Sequence, residues 1–182
     1  MNHKQTLIEK LDNRTAIPAV IGLGYVGLPL AVEFAEAGFN VIGLDINSDK
    51  VNMINDGISY IPDIPDDRLK AVVDSKKLKV TTNYDDLATV DTINICVPTP
   101  LSTNKDPDMS FINNAIDNIA NNMHEGMLII LESTTYPGTT SEIIQTKVEA
   151  TGLVAGETVF IAFSGERIDP GNADFIRPIL EE

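Results

Sequence analysis

Short blocks of aliphatic side chains recur along the chain, separated by stretches in which apolar residues return every three or four positions. The blocks lie at 19–21, 40–44, 78–80, 92–97, 127–131 and 159–163. Most lack the in–out alternation of a half-exposed sheet, which predicts strands covered on both faces. The segments 28–37, 49–55, 110–123 and 141–150 predict helices. Ser110 and Thr139 stand where N-caps belong, since a short hydroxyl satisfies the first free amides of a helix. Strands and helices in alternation predict an α/β fold with a doubly wound, mostly parallel sheet, helices on both faces and right-handed crossovers.

Two breaker-rich segments interrupt this rhythm. The first, 57–65, carries Pro62 and Pro65 and reads as a surface loop. The second, 98–108, follows a predicted strand directly. Ligands of open parallel sheets sit outside the carboxyl ends of the strands, so a long loop there is functional rather than decorative. Residues 1–15 read as an exposed N-terminal arm with Leu7, Ile8 and Leu11 on one helical face, able to dock on the domain or on a sister subunit; 16–182 form the domain itself. Lys76 and Lys77 read as exposed.

Charge narrows the classes. The chain has 182 residues, 43% of them hydrophobic, with 27 acidic against 13 basic residues and a net charge of −14. Such a field repels phosphate backbones, which argues against nucleic-acid binding. No apolar run reaches the roughly 18–20 residues of a membrane span, and the polar start lacks the apolar core of a secretory signal. Cys96 stands alone, so neither an internal disulfide nor a thiolate cluster can form, and a reducing cytoplasm fits. No metal is expected. His3 and His124 read as surface residues, and Asp63, Asp66 and Asp67 lack calcium-loop spacing and read as a solvated face.

The sharpest motif is Gly22-Leu23-Gly24-Tyr25-Val26-Gly27, between a predicted strand and a predicted helix. Gly22 permits a tight turn, Gly24 lets a pyrophosphate approach the backbone, and Gly27 lets the helix lie close on the strand. The diphosphate then meets free amides at the positive end of the helix dipole. Asp45 closes the second strand, where a Rossmann-like dinucleotide site places a carboxylate for the adenosine ribose. A carboxylate there repels a 2′-phosphate, which favours NAD over NADP. The plainer alternative makes Asp45 a cap or turn residue before Asn47. Lys50, one turn on, lies against the adenosine edge or is an ordinary solvated lysine.

Four stretches in order, VIGLGYVGLPL over 20–30, CVPTP over 96–100, LESTTYPGT over 131–139 and SGERIDPGN over 164–172, resemble the nucleotide-sugar 6-dehydrogenase family. That family includes the UDP-glucose and UDP-N-acetylhexosamine dehydrogenases. ISYI over 58–61 and LDNRT over 11–15 look most like the UDP-N-acetylglucosamine branch. The resemblance implies two successive NAD-dependent hydride removals that turn the C6 hydroxymethyl of a UDP-sugar into a carboxylate, for cell-surface polysaccharide biosynthesis. It also implies a cysteine that captures the intermediate aldehyde as a thiohemiacetal, then a thioester that water opens. By motif, Gly22, Gly24, Tyr25, Val26, Gly27, Asp45 and Lys50 would bind NAD, and the Val97, Pro98 and Thr99 turn would pass beside the adenosine. Ser133 and Thr134 would sit by the nicotinamide, with Thr134 holding a catalytic water or the substrate oxygen. Glu166 would stand beside the reacting carbon for water activation or proton handling. The plainer alternatives are a strand-end turn hydroxyl for Thr134 and a solvated loop carboxylate for Glu166.

The pattern also breaks. Gly165 stands where the family has proline, which loosens the loop that carries Glu166. After Phe175 the family wording is lost. The central helix, the segment bearing the nucleophilic cysteine and the UDP-binding domain are not in these residues; Cys96, inside a predicted strand, reads as a small core residue. The reading is therefore an N-terminal NAD-binding domain, not competent alone for full turnover, from a protein whose full-length relatives are homodimers. Two alternatives are a two-electron hydroxy-acid dehydrogenase domain and a non-catalytic NAD-binding or assembly module.

Overall fold

The computed structural model describes residues 2–100 and 107–165. Its core is one six-stranded sheet, every pairing parallel, in the order β3-β2-β1-β4-β5-β6. The strands are β1 (Pro18–Ile21), β2 (Val41–Leu44), β3 (Leu78–Thr81), β4 (Thr92–Ile95), β5 (Leu128–Leu131) and β6 (Phe160–Phe163). Each block of aliphatic residues thus becomes a strand, and the central pair β1 and β4 is buried along its whole length. Pro18 is accommodated because it is the first residue of its strand.

The helices are α1 (His3–Asp12), α2 (Gly27–Glu36), α3 (Ser48–Asn55), α4 (Asp66–Asp74), α5 (Ser110–Ala120) and α6 (Thr146–Glu149). In α2 the buried residues Leu28, Ala31, Val32 and Ala35 follow the helical period and cover β1 and β2. They form one core cluster with Val20, Leu23 and Val41, to which α4 adds Leu69 and Val72. A second cluster, on the other side, joins Ile21, Ile93 and Ile95 to Ile112, Ile116 and Ile119 of α5 and Val148 of α6. The crossovers after β1 and after β4 therefore lie on opposite faces of the sheet, and a crevice opens where the two strands are neighbours.

Several expectations are corrected. Ser110 is not a cap: it is the first residue of α5, and its amide is accepted by Asp108 Oδ1 at 2.9 Å. Thr139 stands at a helix start but turns its hydroxyl back onto Tyr136 O at 2.8 Å. The turns that follow, Thr140–Gln145, are π-helical before α6 begins. The 57–65 segment is irregular, yet Ile61 and Ile64 are buried, so it is anchored in the core. The α4 helix lies outside the predicted helical segments, although Leu69, Val72 and Val73 recur at helical spacing and turn to the core, and Arg68 fastens it to α2 through Glu33 and Glu36.

The arm is a helix docked on this domain. Leu7 is buried and Leu11 half-buried, while Ile8 faces out. Lys10 Nζ lies 2.5 Å from the buried Asp91, which also accepts the Ile17 amide at 2.9 Å. His3 and His124 are half-buried rather than on the surface: the His124 ring is 3.0 Å from the Val90 carbonyl, and His3 is 3.4 Å from Glu125. Lys77 is likewise half-buried, donating to the Gly38 carbonyl at 2.9 Å.

Candidate cofactor site

The glycine turn fills the gap between β1 and α2, at the carboxyl end of the sheet. Its three glycines have different reasons to be glycine. Gly22 has φ +88°, and a Cβ there would lie 2.7 Å from the Cys96 carbonyl oxygen. At Gly27 a Cβ would lie 1.9 Å from the Gly22 oxygen, so a side chain would push the helix off the turn. At Gly24 an added Cβ meets nothing within 4 Å. The protein leaves space over that residue without needing it for its own packing. The N–H groups of Gly24, Tyr25 and Val26 donate to no acceptor among the described residues. Open amides at a helix N-terminus beside an uncovered backbone suit a diphosphate.

Asp45 is 8% exposed, and both its oxygens are engaged: Oδ2 accepts the Leu23 amide at 2.9 Å and Oδ1 the Asn47 amide at 2.9 Å. It is not the cap of α3; that is Asn47, whose Oδ1 accepts from Asp49 at 2.9 Å and Lys50 at 3.3 Å. Asp45 instead ties the end of β2 to the glycine turn. Each oxygen keeps lone-pair capacity for a ribose hydroxyl, so the turn role and the ligand role are compatible. Lys50 Nζ lies 3.9 Å from Asp45 Oδ2 and 5.4 Å from the centre of the Tyr60 ring. Burial, and secondarily the negative charge of Asp45, push the Tyr60 and Tyr84 hydroxyls above the ordinary tyrosine range.

At the far side of the crevice, the loops after β4 and β5 are laced together. Ser133, buried, places Oγ 2.7 Å from the Val97 carbonyl, and Thr99 Oγ1 donates to the Thr134 carbonyl at 2.8 Å. The Thr134 side is exposed to the crevice. Behind these loops Asn94 Nδ2 donates to Glu132 at 2.9 Å.

A cavity of about 600 Å³ joins these parts. Every residue expected to hold the cofactor lines it except Gly27, which lies behind Gly22 as spacing material. Glu166 lies outside the described residues. Cys96 is 9% exposed and belongs to the core cluster beneath the turn. Sequence reasoning missed Tyr84, Phe111 and Asn114, which also line the cavity. They come from a 3₁₀ turn and the start of α5, and no local pattern marks a residue that reaches a site through such turns. Tyr25 and Ile46 leave apolar surface to water at the rim, 56% and 74% exposed. The residues present thus fit an adenine dinucleotide: free amides for the diphosphate, a carboxylate for the ribose and apolar walls for the rings.

Residues 17–178 match the model of the UDP-glucose/GDP-mannose dehydrogenase family, NAD binding domain. The chain belongs to that family. As one of its NAD-binding domains it is 45% identical over 155 residues to UDP-N-acetyl-D-mannosamine dehydrogenase of Pyrococcus horikoshii, covering 84% of this chain and 37% of that protein. It is 38% identical over 157 residues to UDP-N-acetyl-D-glucosamine 6-dehydrogenase of Pseudomonas aeruginosa, covering 86% of this chain and 36% of that one. The solved structure of the Pyrococcus horikoshii UDP-D-ManNAc dehydrogenase superposes with a TM-score of 0.80 at 44% identity, over 85% of this chain and 37% of that chain. GDP-mannose dehydrogenase from Pseudomonas aeruginosa, solved as a ternary complex, gives 0.81 at 28% identity, over 86% of this chain and 37% of that one. The chain therefore spans little more than a third of the length of the relatives it matches. Among the described residues no helix is long and apolar enough to cross a membrane, and no three metal-binding side chains form a group that could hold an ion.

Proposed function

We propose that this NAD-binding domain serves a dehydrogenase that oxidises the C6 hydroxymethyl of a UDP-N-acetylhexosamine to the uronate, with two NAD per sugar. The observation that carries the reading is the uncovered Gly24 with open amides around it, set beside the buried carboxylate of Asp45. NAD, when bound, supplies a hydride acceptor; the chain's own residues bind and orient it. Gly24, Tyr25 and Val26 offer amides to the diphosphate, and Asp45 receives the ribose hydroxyls and repels a 2′-phosphate. Val97, Pro98 and Thr99 flank the adenosine side, and Ser133 fixes the strand ends against which the nicotinamide lies.

Thr134 is the residue of the described set best placed to orient a water or the substrate oxygen, being exposed to the crevice with its carbonyl held by Thr99. Glu166 is proposed, on the family motif, to manage protons at the reacting carbon. Among these 182 residues the only cysteine is Cys96, which is buried under the glycine turn. The thiol that would capture the aldehyde is therefore assigned to a part of the protein beyond these residues. So are most contacts to the UDP-sugar and the dimer contacts, and the protein is assigned to the cytoplasm.

Calorimetric titration of the chain with NAD and NADP tests the cofactor side: NAD binds and NADP binds more weakly. Equal affinity for both removes Asp45 from the site. Sustained NADH formation from UDP-N-acetylglucosamine or UDP-N-acetylmannosamine by these residues alone would contradict the division of labour. The same assay on a longer protein carrying this domain identifies the sugar.

A further inference from the structure

The 57–65 segment carries a tyrosine that neither the fold nor the cofactor assignment has used. Tyr60 is half-buried, and its hydroxyl donates to the Leu23 carbonyl in the middle of the glycine turn. Leu23 is held on two further sides. Its amide donates to Asp45 Oδ2 at 2.9 Å, and its fully buried side chain lies over Gly43, where an added Cβ would come within 3.1 Å of Leu23 Cδ1.

Peptide geometry converts this clamp into an effect on the ligand side. The Leu23–Gly24 peptide is planar and trans, so the Leu23 carbonyl and the Gly24 N–H share one plane and point in opposite directions. A carbonyl drawn toward Tyr60 turns the Gly24 N–H to the far side. Gly24 lines the cavity, and its N–H is among those with no acceptor in the described residues. A hydrogen bond on the carbonyl also polarises the peptide, which makes the N–H a better donor.

We propose that Tyr60 is a positioning residue for the coenzyme diphosphate: its hydroxyl sets the Leu23–Gly24 peptide so that the Gly24 N–H meets the phosphate oxygens. The proposal rests on the dinucleotide reading of the cavity. Tyr60 is not among the residues lining the cavity: its ring lies under Lys50, and its hydroxyl reaches the turn from behind.

Tyr60→Phe isolates the hydroxyl, because the ring stays. The 182-residue chain and this variant are titrated with NAD, ADP-ribose and adenosine. We expect NAD and ADP-ribose each to lose roughly five- to tenfold in affinity, the scale of one hydrogen bond, while adenosine is unchanged. Unchanged affinity for ADP-ribose, or an equal loss for adenosine, overturns the proposal. A second measurement needs no variant: in the ¹⁵N spectrum of the unsubstituted chain, the Gly24 amide resonance moves on addition of ADP-ribose and stays put on addition of adenosine. A Gly24 resonance indifferent to ADP-ribose overturns the proposal even if the variant does not fold. Failure of the unsubstituted chain to bind ADP-ribose at all overturns the dinucleotide reading instead, and the proposal with it.

Discussion

The glycine turn separates folding from binding residue by residue, and three alanine substitutions expose the separation. Gly24→Ala adds a methyl group that meets nothing within 4 Å, at a backbone conformation open to any residue. The ligand-free protein should keep its stability to within about 0.5 kcal/mol, or gain slightly because alanine restricts the unfolded chain. That methyl occupies the space over which a diphosphate must pass. Overpacking of this kind costs about 1–3 kcal/mol, so NAD affinity should fall roughly ten- to a hundredfold. Gly27→Ala behaves oppositely. Its Cβ would sit 1.9 Å from a backbone oxygen, which no rotamer change relieves, and a loss on the order of 4 kcal/mol is expected. Gly22→Ala combines a 2.7 Å contact to a backbone oxygen with φ +88° and should be similarly damaging. Thermal unfolding followed by circular dichroism, beside NAD titration, distinguishes the three. A Gly24→Ala protein that melts early, or that binds NAD as before, would refute the argument.

Three further outcomes are expected. Asp45→Asn leaves one acceptor oxygen for two amides, so chemical denaturation should show a loss of about 1–3 kcal/mol; the NADP affinity should also approach that for NAD, and an undiminished stability would remove Asp45 from the turn. Ser133→Ala strips the Val97 carbonyl of its donor, at a cost of about 1 kcal/mol, and the melting midpoint should drop by roughly 2–4 °C; an unchanged midpoint contradicts the lacing of the two loops. Tyr60 and Tyr84 hold their protons more tightly in the folded state, so their contribution is complete below the ordinary tyrosine value near about 10 and is lost as the pH rises through the folded values. Tyrosinate absorbance against pH should show late-titrating amplitude that Tyr60→Phe and Tyr84→Phe each reduce; titration of both at the ordinary value would disprove their burial beside Asp45.

The sheet was legible because its strands spell themselves as short aliphatic runs; the central β1 and β4 are buried on both faces as such runs imply, whereas β3, β5 and β6 leave alternate or most residues partly open. Helices with a broad apolar face, such as α2, were equally plain. The exception is α4, a short helix after a proline-rich loop whose charged residues mask its apolar face: Leu69 and Val72 are buried, Val73 packs beside them, and Arg68 adds a salt link to α2. The capping roles failed for a related reason. Asp108, Ser110, Tyr136 and Thr139 all belong to turns in which several short polar side chains compete for the same amides and carbonyls, and the sequence does not rank them. At the site, the glycines and Asp45 were readable from spacing, while Val97, Pro98, Thr99, Ser133 and Thr134 were legible only through the family resemblance. Tyr60 arrives from a loop, Tyr84 from a 3₁₀ turn and Phe111 and Asn114 from the start of α5, and their proximity is a property of the assembled sheet.

Gly43 carries a lesson that reaches past the turn itself. It lies in β2, outside the glycine fingerprint, and no rule for phosphate-binding loops mentions it. Yet the room it leaves is occupied by Leu23, so the neighbouring strand sets where the cradle stands. A substitution there should act as a coenzyme mutation at a distance, with no lost ligand contact to betray it. Scans for impaired variants that inspect only the lining of the crevice will overlook it.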